Sequence, residues 1–215
     1  MKIVGIDLSG PANPAETSVA AFNFHGSATT YLGRCDECSD GAIVDFISQL
    51  SVDGPVVVGL DAPLSYQPGG GDRLRDTDLR RAVMKVGMAS GSVMTPTTTR
   101  MAYLTLRGIS VARNLASLST TGPIRLVEVH PGATLALRGA PIDLVRSFKT
   151  SPVSQDALLA WLGSRGLEGL PTTTGGNSHF LAACACALAA LAWDSGAAVW
   201  CAPAEHPWHP FDFAC

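Results

Sequence analysis

The chain has 215 residues, of which 47% are hydrophobic and only 15% charged, the balance of a globular protein with a large core. No apolar run reaches the ~18 residues of a membrane span, the nearest, Phe180 to Trp193, being too short, and no basic stretch with a following apolar segment opens the chain, so no secretory signal is expected. Six unevenly spaced Cys, two of them close together at Cys184 and Cys186, exclude a disulfide framework and read as reduced thiols in a cytoplasmic protein. The net charge of −3 is mildly against general nucleic-acid binding. Asp72 to Arg113 nevertheless carries eight Lys or Arg against three Asp, while the rest of the chain carries seven basic and fifteen acidic residues. Such a basic segment favours an anionic substrate at one place, a solvated helix face being the plainer alternative.

Lys2 to Leu8 reads as a strand built on Ile3, Val4 and Ile6. It delivers Asp7 at its C-terminal end and breaks at Ser9-Gly10-Pro11. Glu16 to Phe24 and Ala28 to Arg34 read as two more strands, joined by His25-Gly26-Ser27 into an antiparallel meander with the first. Cys35 and Cys38 form a lone C-x-x-C. Zinc needs more ligands and a redox pair normally opens a helix, so two loop thiols are expected. Ser39 and Asp40 can cap a helix to about Leu50, with Ile43, Val44, Phe46, Ile47 and Leu50 on its apolar face. Val56 to Asp61 is a continuous apolar strand that again ends in an acid, followed by Ala62-Pro63-Leu64.

Pro68 to Gly122 is polar and irregular, with helices expected over Arg73 to Met84 and Met101 to Leu118. Its Gly69-Gly-Gly71 run lacks the Lys-Ser/Thr pair of a phosphate-cradling loop. We read residues 66–122 or so as a basic helical insertion beside the acids, within one domain spanning 1–215. A third acid-bearing strand, Ile124 to Pro131, carries Glu128. Helices follow from Pro131 to Arg138, from Ser154 or Asp156, and from His179 to Asp194 behind an Asn177-Ser178 cap. The last is rich in Ala and is expected to lie buried against the sheet. Val199 to Cys201 reads as a short strand, and the tail from Pro203 has no assigned place.

Three strands thus present Asp7, Asp61 and Glu128 near breaks. Hard oxygen ligands suit Mg²⁺ or Mn²⁺. Two such ions ~3.5–4 Å apart activate a water and stabilise the leaving oxygen in phosphodiester cleavage. On that scheme Asp7 anchors the metal, and Asp61 and Glu128 complete the shell. The plainer alternative is that a buried acid pairs with an Arg or caps a turn.

Several stretches together resemble the DUF429 family of predicted nucleases with an RNase H-like fold. They are Gly5-Ile-Asp7, Leu60-Asp61-Ala-Pro63, Arg73 to Arg80, Leu104 to Gly108, Val127 to Pro131, Phe148-Lys149-Thr150 and the Ala-rich last helix. The resemblance implies a mixed α/β sheet, its first three strands antiparallel and the later ones parallel, flanked by helices. It implies metal ligation by Asp7 and Asp61, and makes Glu128 the acid of a Glu-x-x-Pro motif. It sets Arg73, Asp76 and Arg80 beside the site and Lys149 where a phosphate would be met. One departure stands out. Relatives carry a His-x-x-Asp on the last helix, and this chain has His179 followed by Ala182. His179 would then serve as ligand or proton carrier, unless it is only a cap, and one-metal chemistry comes into view.

The leading expectation is a metal-dependent nuclease or related phosphohydrolase using Mg²⁺ or Mn²⁺ on nucleic acid or a small phosphorylated substrate. Two alternatives remain open: a non-catalytic binding protein on the same fold, and an actin-like ATP-dependent phosphotransferase suggested by Gly5 to Gly10. The second usually needs two such domains, and no second one is visible in this chain.

Overall fold

The computed structural model describes residues 1–26, 28–118 and 122–215; Ser27 of the first expected turn and residues 119–121 of the expected insertion lie outside the described residues. In chain order the elements are β1 (Lys2–Asp7), β2 (Ser18–His25), β3 (Ala28–Asp36), α1 (Asp40–Ser51), β4 (Val56–Asp61), α2 (Leu74–Lys85), α3 (Thr99–Ala116) and β5 (Ile124–Val129). They continue with α4 (Pro131–Leu137), α5 (Ile142–Ser147), α6 (Pro152–Ser164), β6 (Leu167–Glu168), α7 (Ser178–Asp194), β7 (Cys201–Ala202) and β8 (Phe213–Ala214). The sheet runs β6-β3-β2-β1-β4-β5-β8-β7. β1, β2 and β3 are antiparallel, and β4, β5 and β8 continue parallel to β1, as expected. The additions lie at the edges, where β6 pairs parallel with β3 and β7 antiparallel with β8. The short strand expected at Val199 to Cys201 forms two residues later as β7, while β6, like the six-residue α5, is too short to leave a readable period in the sequence. The tail therefore has a place after all, with Phe213 and Ala214 beside Glu128 and Val129.

Alternation along the central strands sorts their side chains onto two faces. Ile3, Phe22, Val57, Val127 and Val129 pack with α4, α5, α6 and α7. Val4, Ile6, Val19, Val58 and Leu60 pack with Ile43 and Ile47 of α1 and Val111 and Leu115 of α3. The N-caps are those that the local sequence calls for. Ser39 accepts a hydrogen bond from the Ala42 N–H, and Asn177 accepts from the His179 and Phe180 N–H groups.

One contact sets the depth of the structure. Gly5 and Gly59 are register partners on β1 and β4. A Cβ on residue 5 would fall 1.8 Å from the Ala183 carbonyl oxygen, and one on residue 59 would fall 2.4 Å from that of Cys186. The two glycines thus form a flat strip on which the Ala-rich α7 lies backbone to backbone. Gly5→Ala is expected to cost about 3 kcal/mol or more, because backbone cannot yield as a side-chain tip does. Chemical unfolding monitored by circular dichroism would show it, and Gly10→Ala, with open space around residue 10, serves as the neutral control.

Candidate active site

The strip that admits α7 also builds the site. Asp7 and Asp61 lie two residues beyond Gly5 and Gly59, on the same face, and are themselves register partners at the C-terminal ends of β1 and β4. Ligands of open α/β sheets commonly bind beyond these strand ends. Burial, then the charge of Asp7, drives the Asp61 pKa well above the usual carboxylate range, with Lys149 pulling the other way. Asp61 therefore holds a proton where an exposed Asp would not.

α7 brings His179 to the same point. Its Nδ1 lies 2.7 Å from Asp7 Oδ2. That hydrogen bond, against the opposing effect of burial, raises the imidazole pKa. With Nδ1–H donating to Asp7, Nε2 has no hydrogen-bond partner among the described residues. Ala182, one turn further along α7, lines the same cleft, so the departure from the family's His-x-x-Asp pattern falls inside the site.

Glu128 sits differently. Its register partner on β4 is Leu60, not Asp61, so it points to the other face of the sheet. There Arg73 takes both its oxygens, Nη1 to Oε2 at 2.8 Å and Nη2 to Oε1 at 2.5 Å. The Leu64 N–H donates to Oε2 at 3.0 Å, which ties down the segment following Asp61. Arg73 also donates to Asp76, and Asp76 in turn accepts the Arg73 backbone N–H at the start of α2. Arg73, Asp76 and Glu128 are all nearly inaccessible, at 1%, 2% and 2% exposure, so they form a buried ion network. Burial alone would lower the Arg73 pKa, but the Glu128 and then the Asp76 carboxylate outweigh it and the guanidinium stays charged. The network extends through Ser65 Oγ to His209 in the tail, a link that no sequence pattern announced.

Of the residues expected to meet substrate, Arg73 and Asp76 line the cleft but are engaged with each other. Arg80 turns away from it, bound to Asp72 and to the Val93 carbonyl. Lys149, in the turn between α5 and α6, lines the cleft with no hydrogen bond or ion pair among the described residues. Half of the basic segment is thus spent inside the protein, with Arg75 on the Phe211 and Pro203 carbonyls and Arg107 on Ser9, Thr17, Cys38 and Asp40, while Arg81, Lys85, Arg100 and Arg113 are exposed. Cys35 belongs to β3 and not to a loop, Cys38 packs into the core, and neither is in a disulfide.

His130 also lines the cleft and was not singled out as a site residue. Its Nδ1 accepts the Ala133 N–H, capping α4, and its Nε2 lies 2.7 Å from the Ser92 carbonyl. Those partners require the neutral Nε2–H tautomer. Burial, reinforced by Lys149, lowers the pKa. Below the ordinary His value of about 6.5 the unfolded chain takes up a proton that folded His130 resists, so its contribution to stability drains away as pH falls through that value. His130→Asn keeps an acceptor for Ala133 and cannot titrate. Its unfolding midpoint is expected to fall less steeply than that of the wild type between about pH 6.5 and 5.

The cleft over these groups has a volume of about 910 Å³. Among the described residues no group of three or more His, Cys, Asp or Glu is arranged to hold a metal ion, and no helix is long and apolar enough to cross a membrane. Fold and site together define an α/β protein with a carboxylate-floored cleft at the ends of its parallel strands. A family model described as "Protein of unknown function (DUF429)" matches residues 5–206, and the chain belongs to that family. No curated protein and no solved structure matches it.

Proposed function

We propose that this chain is a metal-dependent phosphohydrolase of nuclease type, cleaving a phosphodiester over Asp7 and Asp61. The observation that carries the reading is the register pairing of these acids at the ends of adjacent parallel strands, where burial and the charge of Asp7 raise the Asp61 pKa. A divalent cation relieves their mutual repulsion. The strand order β3-β2-β1-β4-β5 supports the reading, being antiparallel and then parallel as the RNase H-like resemblance implies.

The donor set fits one Mg²⁺ or Mn²⁺ held by Asp7 and Asp61. Mg²⁺ characteristically uses one or two carboxylates, with waters and substrate phosphate completing its shell. When bound, the ion would supply charge neutralisation at the phosphate and a more acidic water. The remaining work falls to the chain. Asp7 Oδ2 orients His179 and favours its protonated form. Lys149, without a hydrogen bond or ion pair among the described residues, is the cation offered to the phosphate. Glu128, through Leu64 N–H, positions the segment behind Asp61. In the net reaction the water oxygen bonds to phosphorus and the ester oxygen leaves. One water hydrogen stays on the new phosphate oxygen, and the leaving oxygen gains the other equivalent, the transfer for which His179 is placed.

Calorimetric titration with Mn²⁺ tests this. The wild type is expected to bind and Asp7→Asn to lose binding. Unchanged binding in the variant, or none by the wild type at millimolar metal, overturns the proposal.

A further inference from the structure

Resting on the hydrolase reading, we infer that the substrate is a nucleotide-sized phosphate ester carrying a ring or other flat apolar group, and not a polymer threaded along the protein. Three observations converge on this. The first is size: about 910 Å³ falls within the range of small-molecule pockets. The second is charge. Apart from His179, which Asp7 holds through Nδ1, three cations line the cleft, Arg73, Arg146 and Lys149. Arg73 is consumed by Glu128 and Asp76, and Arg146 by the Gly87 carbonyl and Asp143. Lys149 alone is uncommitted among the described residues, which suits one phosphate. A polymer backbone is instead held by several cations at once, with affinity that falls steeply with salt.

The third observation is the apolar part of the lining. Met88, Val93, Met94, Met101 and Leu104 come from the segment between α2 and α3 and from α3 itself. Methionine side chains are flexible and polarisable and make favourable sulfur contacts with ring edges. Met94 is 47% exposed where it lines the cleft, so its side chain is open to a ligand there. The cleft thus has apolar lining beside its acids and one lysine, Lys149, without a hydrogen bond or ion pair among the described residues. A ligand that matches all three has one phosphate and one apolar half.

The probe is the p-nitrophenyl ester of thymidine 5′-monophosphate, compared in Mn²⁺ with a 20-nucleotide single strand and its duplex. Wild type is expected to cleave the small ester with the higher kcat/KM, with a log–log salt slope of about one. Met94→Ser and Met101→Ser should each raise KM by about tenfold, the discrimination that an apolar pocket contact supplies. Met94 is exposed enough for its variant to fold. Lys149→Gln should raise KM and flatten the salt dependence. If Mn²⁺ binds and Asp7-dependent cleavage favours the long strand with a slope of several, the hydrolase reading stands and the substrate class is wrong. The substrate class is equally overturned if neither methionine variant changes KM. If Mn²⁺ does not bind and no ester is cleaved, both fall together.

Discussion

Arg73→Met is expected to lower stability by about 3–5 kcal/mol, the usual result of removing one partner from a buried ion pair. For a chain of this length that is a fall of on the order of 10 °C in Tm. The cause is specific: Glu128 loses the partner of both its oxygens and Asp76 loses its side-chain partner, all at 2% exposure or less. Glu128→Leu should destabilise by a similar amount. The double variant is expected to recover part of the loss, because the Glu128 charge is gone and Asp76 keeps the residue 73 backbone N–H. A coupling of roughly 1–3 kcal/mol in the double-mutant cycle is the result to look for in urea unfolding. The same variants separate structure from chemistry. Glu128→Gln, assayed well below its Tm, should bind Mn²⁺ as the wild type does, whereas direct ligation by Glu128 would show as lost affinity.

Asp61→Asn should make the metal-free protein more stable at neutral pH while removing metal binding and turnover. The sign follows from the raised pKa. Above about pH 3.9 the unfolded chain has released the proton that folded Asp61 retains. The stability this provides is complete below that pH and is lost as pH rises through the folded value. The amide carries no such debt, so in EDTA the gap between variant and wild type should widen from about pH 4 upward. Mn²⁺ affinity should fall by more than about 100-fold, since a partner outside the coordination shell already accounts for 10–100. Turnover should fall at least about a thousandfold. A variant that gains stability and loses function in this way marks a site strained for its task.

The acids that end strands were legible because each interrupts an apolar run at a turn, and Asp7 and Asp61 do come together. Glu128 followed the same pattern but lies one residue short of its strand's end, since β5 runs on to Val129. That single residue inverts its face, and only strand pairing reveals it. Arg73, Asp76 and Glu128 are separated by up to 55 positions, so their mutual pairing left no local trace. Gly5 and Gly59 read as ordinary strand residues, and their purpose becomes visible only with α7 laid across them. His179 was legible as a helix start, but its bond to Asp7 depends on that same close approach.

Arg107 and Gly108 on α3 grip the two strand-end loops together. Arg107 Nη1 holds the Ser9 carbonyl and hydroxyl behind Asp7. Gly108 leaves room for the turn behind Asp61, where a Cβ would fall 2.6 Å from that of Ala62. A helix that contributes no carboxylate therefore fixes the gap between the two carboxylates. On the hydrolase reading, α3 is where ion preference is decided. Mg²⁺ demands short bonds in near-ideal geometry, whereas larger cations accept looser cages. Loosening the grip at Arg107 would then shift the protein toward Mn²⁺ or Ca²⁺ before it abolished binding, so the choice of ion can drift by substitutions in a helix that never touches it.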